Sequence, residues 1–532
     1  MIRSVIHLHM IRITNTLIFL CLIVPLLVCN SRACGQDSAE VNEAPYSITQ
    51  KEIRIPMSDG TELWGCLTYP DAINEGKQFP ALLVMDPYAG ECSLTYYYEG
   101  AQARQGYAVA YVHVRGSGHS EGTFMDREYS RQELNDAIEV INWLASRPWS
   151  TGKVGMYGWS WSGFNALQVA MKKPEPLKAI IANVSTENLY HEDVHYADGI
   201  FRFGTYNMFA DLNLIYTPPP LNPADDSLLA RRFDQPPLSL RYLKEQTDGP
   251  FWRKSIRLDA NPDTLQIPTY MIGGWYDGYR SAIARTLQYA KAPTKAVIGP
   301  WAHSLETPKP EADLAGLMVR WWDYWLKDEH TGVMDDPDLI TYMRTPYLPA
   351  AATDTIPGQW QKVEQWPPDN DRRTTYYLSP GHELQRTKSL SDTLKLRYIP
   401  TAGAEAGIWW GDVLADQRPA EARSLTFETS PFKKEQALLG RPQARLWVSA
   451  TARHANWIVR LSDVAPLRAS PGPPGTVRTA IPVPIPSTWN RVKNMPSISR
   501  SILQVGYSSP GIKCESLYPM RSGPCSGLLR IP

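Results

Sequence analysis

The sequence predicts an α/β fold: a doubly wound, mostly parallel sheet, interrupted by a helical insertion and followed by a β-sandwich. Three observations predict it. From about residue 50, short β-rich runs alternate with longer amphipathic ones. The alternation stops near residue 187 and resumes near 269, and after about 350 the chain turns to short alternating strands. Strands separated by helical stretches pair in parallel and are covered on both faces, whereas closely spaced short strands favour a sandwich.

The first element is a targeting segment. Residues 1–16 hold Arg3 and Arg12 and no acid, and residues 17–28 (LIFLCLIVPLLV) form an apolar run broken by Pro25. Spanning a bilayer takes roughly 20 apolar residues, so the run reads as the hydrophobic region of a signal peptide covering residues 1–34. Cleavage is expected near Ala33, and Met10 serves equally well as the start. Cys29 and Cys34 are alternative lipid attachment points, and an uncleaved anchor is the competing reading. The expected location is therefore secreted or periplasmic.

The first part of the α/β domain is expected over 48–186. Its strand candidates are residues 81–85 (ALLVM), 107–114 (YAVAYVHV), 154–157 (VGMY) and 179–184 (AIIANV). Residues 131–145 place Leu134, Ile138, Ile141, Trp143 and Leu144 on one helical face, and 164–171 reads as a helix directly after the third strand. Residues 187–255, rich in aromatics and Pro, read as an inserted helical cap. The α/β pattern returns over 256–330, with strands at 269–273 (TYMIG) and 296–299 (AVIG) and helices near 280–291 and 312–326. Residues 350–465 hold short strands such as 444–449 and 457–461.

Composition bounds the function. At about 150 residues per domain, 532 residues suggest two to four domains. Lys+Arg and Asp+Glu are both 54, so the chain carries no basic or acidic footprint for nucleic acid or for an anionic membrane. The 18 Trp imply either aromatic-walled pockets or a dense core. Of seven cysteines, Cys66, Cys92, Cys514 and Cys525 lie beyond the export segment; none has CxxC spacing, and the sequence does not choose a disulfide partner.

The chemistry sits at predicted strand ends. Ser160, in Gly158-Trp159-Ser160-Trp161-Ser162-Gly163, falls between a strand and a helix, where a sharp turn lifts a nucleophilic hydroxyl to the sheet's edge. A serine needs a base, and the base needs an orienting carboxylate. Asp277 and His303 each follow a later strand, in the chain order Ser, acid, His. The amide of Trp161 is one expected oxyanion donor, and Tyr88, in the loop after residues 81–85, offers a phenol as the second.

At these residues the chain resembles the cocaine-esterase and X-Pro dipeptidyl-peptidase group of serine hydrolases, peptidase family S15, whose relatives include α-amino acid ester hydrolases and glutaryl acylases. The matching stretches are MDPY, VRGSGHSEG, the run from RPWSTGKVGMYGWSWSG, IGGWYDG, IGPWAHS, RLWVSA and WIVRLSDVAP, together spanning roughly 48–465. The resemblance implies an α/β-hydrolase domain, a helical cap and a jelly-roll sandwich. It implies Ser160 as nucleophile, Asp277 and His303 as its relay, and Tyr88 with the Trp161 amide as oxyanion hole. No metal or cofactor is implied. The implied partner is a small-molecule or peptide substrate, with a homo-oligomer allowed and no membrane partner unless the N-terminus is retained or lipidated.

Two other motifs carry a weaker signal. Arg115-Gly116-Ser117-Gly118 lacks the spacing of a phosphate loop and reads as a tight turn buttressing the nucleophile. In HEDVHYAD, His191 and His195 have helical metal-ligand spacing but no third ligand motif. Asp193 or Asp198 there is a candidate partner for a substrate ammonium, against the plainer reading of a hydrogen-bonded loop. Past Pro466 the chain is dense in Pro, Ser and Arg, and the resemblance ends. A frameshift is the expected cause. Back-translating 510–526 and reading from each third codon base permits G-H-K-M-R-V-S-I-S-N-A-x-W-P-M-F-W, which resembles the family's closing strands. Residues 466–532 are then an aberrant tail and the sandwich is incomplete; an unambiguous reading frame with a protease-resistant tail would remove the idea. The leading function is a serine hydrolase of ester or amide bonds. The rivals are a binding protein on the same scaffold and an inactive product of a disrupted gene.

Overall fold

The computed structural model describes residues 44–88, 92, 99–124, 127–202, 226–347, 353–369, 373–389, 392–402, 418–452 and 455–464, with short strands at 478–481, 488–489, 501–502 and 528–531. The expected export segment lies outside the described residues. So does most of the expected aberrant tail.

A ten-stranded sheet organises the molecule. Its strands are β1 (Ile48–Pro56), β2 (Glu62–Pro70), β3 (Phe79–Asp86), β4 (Ala108–His113), β5 (Ser150–Trp159), β6 (Leu177–Asn183), β9 (Thr269–Gly274), β10 (Thr294–Gly299), β11 (Leu339–Arg344) and β12 (Gly358–Val363). Their spatial order is β1-β2-β4-β3-β5-β6-β9-β10-β11-β12. From β4 to β11 every pair is parallel; β1, β2 and β12 join antiparallel at the edges. The order reverses between β3 and β5, and ligands of open α/β sheets bind outside the strands' carboxyl ends at such a point.

Side-chain alternation builds two cores. Along β3, Ala81, Leu83 and Met85 enter one buried cluster, while Leu82 and Val84 enter the other. The first cluster lies under α2 (Arg131–Ala145), α3 (Trp161–Ala170) and α6 (Arg280–Tyr289). The second lies under α1 (Glu99–Arg104) and α7 (Leu314–Lys327), whose Trp321 and Trp322 are fully buried. Trp64, Trp161, Trp252 and Trp301 are fully buried too, so the tryptophan excess builds core.

The sequence misses β1, β2, β11 and β12. β1 alternates exposed residues with a few that pack on the core, such as Ile53 and Ile55, and most residues of β12 are exposed, so neither has the apolar run that marks a central strand. The sheet consequently continues to residue 363, into the stretch where the sequence predicts a sandwich to begin. Beyond it, the described strands are two to four residues long: Tyr377–Leu378 with Leu384–Gln385, Leu461–Val464 with Arg478–Ile481, and Leu528–Ile531 between Asp392–Lys395 and Trp447–Ser449. Thr488–Trp489 also pairs with Ser501–Ile502, so all four described pieces of the tail are paired.

Between β6 and β9 the chain makes a hairpin, β7 (Tyr196–Ala197) and β8 (Ile200–Phe201), then helices α4 (Asp226–Phe233) and α5 (Leu238–Lys244). Asp198 and Gly199, with φ of 51° and 76°, form its two-residue turn, the geometry that favours Asp-Gly. Tyr190, Tyr196, Tyr242 and Trp252 pack as one aromatic cluster. Arg285 of α6 ties this segment to the sheet through buried contacts to Glu187 at 2.5 Å and Glu192 at 2.8 Å. Arg115 pairs with Asp136 of α2 through two bonds of 2.8 Å, so its turn braces α2. Arg232 of α4 binds the carbonyls of Gly118 and Ser120, anchoring the inserted segment to that same turn.

Candidate active site

Three expected site residues come to the same edge of the sheet. Ser160 follows β5 and opens α3, Asp277 follows β9, and His303 follows β10. Because β5-β6-β9-β10 are parallel neighbours, their C-terminal ends lie side by side.

Ser160 has φ 56° and ψ −109°, a backbone that an L-residue adopts only when its surroundings impose it. Its amide donates to the Asn183 carbonyl at 3.0 Å, and its carbonyl accepts the Phe164 amide at 2.9 Å, which fixes the turn from both sides. Gly158 is required: a Cβ there would lie 2.2 Å from the Ser162 Cβ. Ser160 stays half-buried, at the surface of the edge.

Asp277 is buried and both its oxygens are used. Oδ1 accepts the Tyr279 amide at 2.9 Å, and Oδ2 faces His303 Nδ1 at 2.8 Å. A proton on Nδ1, held by this carboxylate, leaves Nε2 as the basic nitrogen. The ring of Tyr279 stands 5.9 Å from that of His303.

The other side of the serine is built by the loop after β3 and by α3. Trp161 is buried; its indole N–H donates to Glu133 at 2.7 Å, and its ring stands edge-on to Tyr88 at 6.3 Å. Tyr88 is 41% exposed, and its amide donates to Asp86 Oδ1 at 3.0 Å. Asp86 and Glu133 are acids that the sequence did not single out. Burial pushes Asp86 up to about 6, against the lowering effect of the Tyr88 amide and the Tyr111 and Ser162 hydroxyls. Burial likewise pushes Glu133 up to about 7, against hydrogen bonds from Trp161 and Asn165. A signal for Glu133 was present: Ser130 and Glu133 have capping-box spacing. The hydroxyl of Ser130 does accept the Glu133 amide at 3.1 Å, but the Glu133 carboxylate turns to Trp161 and Asn165 instead of closing the box.

The HEDVHYAD segment is not a helix, so His191 and His195 do not share a helical face. Instead, His195 Nε2 lies 2.7 Å from Glu128 Oε2, and one ligand atom each from Glu128, Asp193 and His195 lie within 4.8 Å of one another. Hydroxyls enclose the trio: Tyr242 donates to Glu128 at 2.9 Å and Tyr279 donates to Asp193 at 3.1 Å. Burial pushes Asp193 up to about 6, opposed by His195. Asp193 Oδ2 has no hydrogen-bond partner among the described residues. Asp198, in contrast, belongs to the hairpin turn. Cys66 and Cys92 form a disulfide, a pairing the sequence left open.

Comparison with known proteins identifies the family. The X-Pro dipeptidyl-peptidase (S15 family) model matches residues 59–305, and the model of the X-Pro dipeptidyl-peptidase C-terminal non-catalytic domain matches 323–508, past the point where the sequence resemblance was expected to end. Cocaine esterase of a Rhodococcus species is 26% identical over 481 residues, covering 79% of this chain and 81% of its own. A putative Xaa-Pro dipeptidyl-peptidase of Bacillus cereus is 24% identical over 296 residues, 49% of this chain and 45% of its own. In fold, the chain is similar to an α-amino acid ester hydrolase (TM-score 0.63, 19% identity, 96% of this chain and 97% of that one). It is also similar to a CocE/NonD family hydrolase from Staphylococcus aureus (TM-score 0.57, 20% identity, 76% and 68%). The chain belongs to the S15 family and is a serine hydrolase of ester or amide bonds.

Proposed function

We propose that Ser160 is the nucleophile, His303 its base and Asp277 the acid that orients the base. His303 Nε2 takes the Ser160 proton as the hydroxyl oxygen attacks the carbonyl carbon. Asp277 stabilises the imidazolium, and the Trp161 amide with the Tyr88 phenol receives the oxyanion. The imidazolium then protonates the leaving alcohol or amine, and water enters by the same relay to free the acid. The observation that carries this reading is the 2.8 Å pairing of His303 Nδ1 with Asp277 Oδ2 past the C-terminal ends of β10 and β9, at the same end of the sheet where Ser160 sits in its strained turn after β5. Ser160→Ala should lower turnover of a p-nitrophenyl ester by several orders of magnitude with the fold unchanged; retained turnover would sink the assignment.

Within the family we infer a preference for substrates with a free ammonium group, as in dipeptidyl-peptidase or amino-acid ester chemistry. Asp193 supports it: a buried carboxylate with one oxygen unpartnered among the described residues, joined through Tyr279 to the relay. A plain carboxylesterase is the second reading, favoured by the 26% identity to a cocaine esterase over most of the chain. Rates on an Xaa-Pro anilide, its N-acetylated form and a simple aryl ester separate the two. Preference for the free amine, lost in Asp193→Asn, supports the first; equal rates on capped and free substrates support the second.

We further propose export, with the C-terminal region forming a jelly-roll sandwich. The disulfide fits an oxidising compartment. Recovery of the mature chain in the cytosolic fraction would contradict export.

A further inference from the structure

The two expected oxyanion donors reach the site from different parts of the chain, and one side chain joins them. Asp86 is the last residue of β3 and is buried. Its Oδ1 accepts the Tyr88 amide at 3.0 Å and the Tyr111 hydroxyl at 2.7 Å. The Ser162 hydroxyl lies next to the same carboxyl and donates to the Trp159 carbonyl at 3.1 Å. Ser162 in turn accepts the Trp159 amide at 2.9 Å, so it is built into the turn that holds Ser160 and the Trp161 amide. Asp86 therefore touches the Tyr88 loop on one side and the serine turn on the other, with β4 beneath both through Tyr111.

The far end of the Tyr88 loop is held to the same rung of the sheet. Cys66 of β2 stands opposite Tyr111 of β4 and is bonded to Cys92. Pro87, between Asp86 and Tyr88, narrows the backbone further by fixing its own φ. A loop constrained in this way presents its phenol without ordering at the moment of reaction, which is what makes an oxyanion donor effective.

We propose that Asp86 is a positioning residue of the oxyanion hole, whose carboxyl clamps the Tyr88 loop to the Ser160 turn and so sets the separation of the two donors. The proposal rests on the reading of Tyr88 as a donor. It predicts that Asp86 and Tyr88 act as one unit, because a phenol on a released loop no longer reaches the oxyanion.

The test is a double-mutant cycle on p-nitrophenyl ester hydrolysis, with kcat and KM measured separately and folding checked by circular dichroism. Asp86→Ala should lower kcat by about as much as removing the donor outright, about 10²- to 10³-fold, with KM within about twofold. Asp86→Asn keeps an acceptor oxygen for the Tyr88 amide and should recover kcat to within about threefold of the parent. Adding Tyr88→Phe to Asp86→Ala should then cost less than about threefold, against its full cost in the parent. The proposal is overturned if the two losses multiply, or if Asp86→Asn is as slow as Asp86→Ala. Should Asp86→Ala not fold, Asp86→Asn decides alone: a loss beyond tenfold overturns the clamp. A Tyr88→Phe variant with full activity in the parent removes the donor reading and the clamp together, which distinguishes that failure from a failure of Asp86 alone.

Discussion

The two sides of Ser160 use acids in opposite ways. On the relay side, Asp277 is buried, and its oxygens meet a backbone N–H and the imidazole that the proposed relay uses. On the oxyanion side, Asp86 and Glu133 are equally buried, and burial outweighs their donors, raising them to about 6 and about 7. The reaction explains the difference. An anionic acid beside the imidazole stabilises the imidazolium that forms there, whereas full negative charge beside the oxyanion would oppose it. One side sets an acid against the imidazole; the other sets acids whose burial favours their neutral form.

That contrast can be broken from its strong side first. Asp277→Asn keeps the size of the side chain but lets the imidazole take the wrong tautomer, and kcat should fall by about 10⁴. A loss below tenfold would mean that His303 needs no anionic partner. On the other side, Tyr88→Phe should cost about 10²- to 10³-fold in kcat, the scale of one oxyanion donor, with KM little changed. A rise in KM alone would move Tyr88 from the oxyanion to substrate binding.

The smallest effect concerns stability. Glu133 ionises near 4.5 in the unfolded chain and near 7 in the fold, so its burial favours the neutral form. Its contribution is fully present below about pH 4.5 and is lost as pH rises through 7, in total about 3 kcal/mol. Glu133→Gln, which cannot ionise, should therefore gain on the parent between pH 5 and 8 in urea-melt midpoints. A constant difference across that range would show that Glu133 is no less ionised in the fold than in the unfolded chain.

Legibility followed the same division. Ser160, Asp277 and His303 were readable as candidates because each sits just after an apolar strand, and the structure brings all three to one end of the sheet. The helix at 131–145 was likewise legible from its 3.6-residue period and is observed over the same residues. Asp86 and Glu133 could not be found that way, because the partners that give them meaning, Tyr111, Ser162, Trp161 and Asn165, are distant in the chain or carry no pattern. The spacing of His191 and His195 suits a helical face, but the segment forms no helix, and His195 meets Glu128, 67 residues back in the chain. The C-terminal region was legible only as short strands. Its large apolar side chains at Tyr398, Phe432 and Ile458 are exposed by 73%, 60% and 75%, so no buried stripe marks its elements.

The central claim is that the relay activates Ser160. Fluorophosphonate labelling of the full chain, with the modified residue located by mass spectrometry, tests it most directly. The account predicts a single label on Ser160 that His303→Ala abolishes. A label on another serine, or on Ser160 at an undiminished rate in His303→Ala, would contradict it.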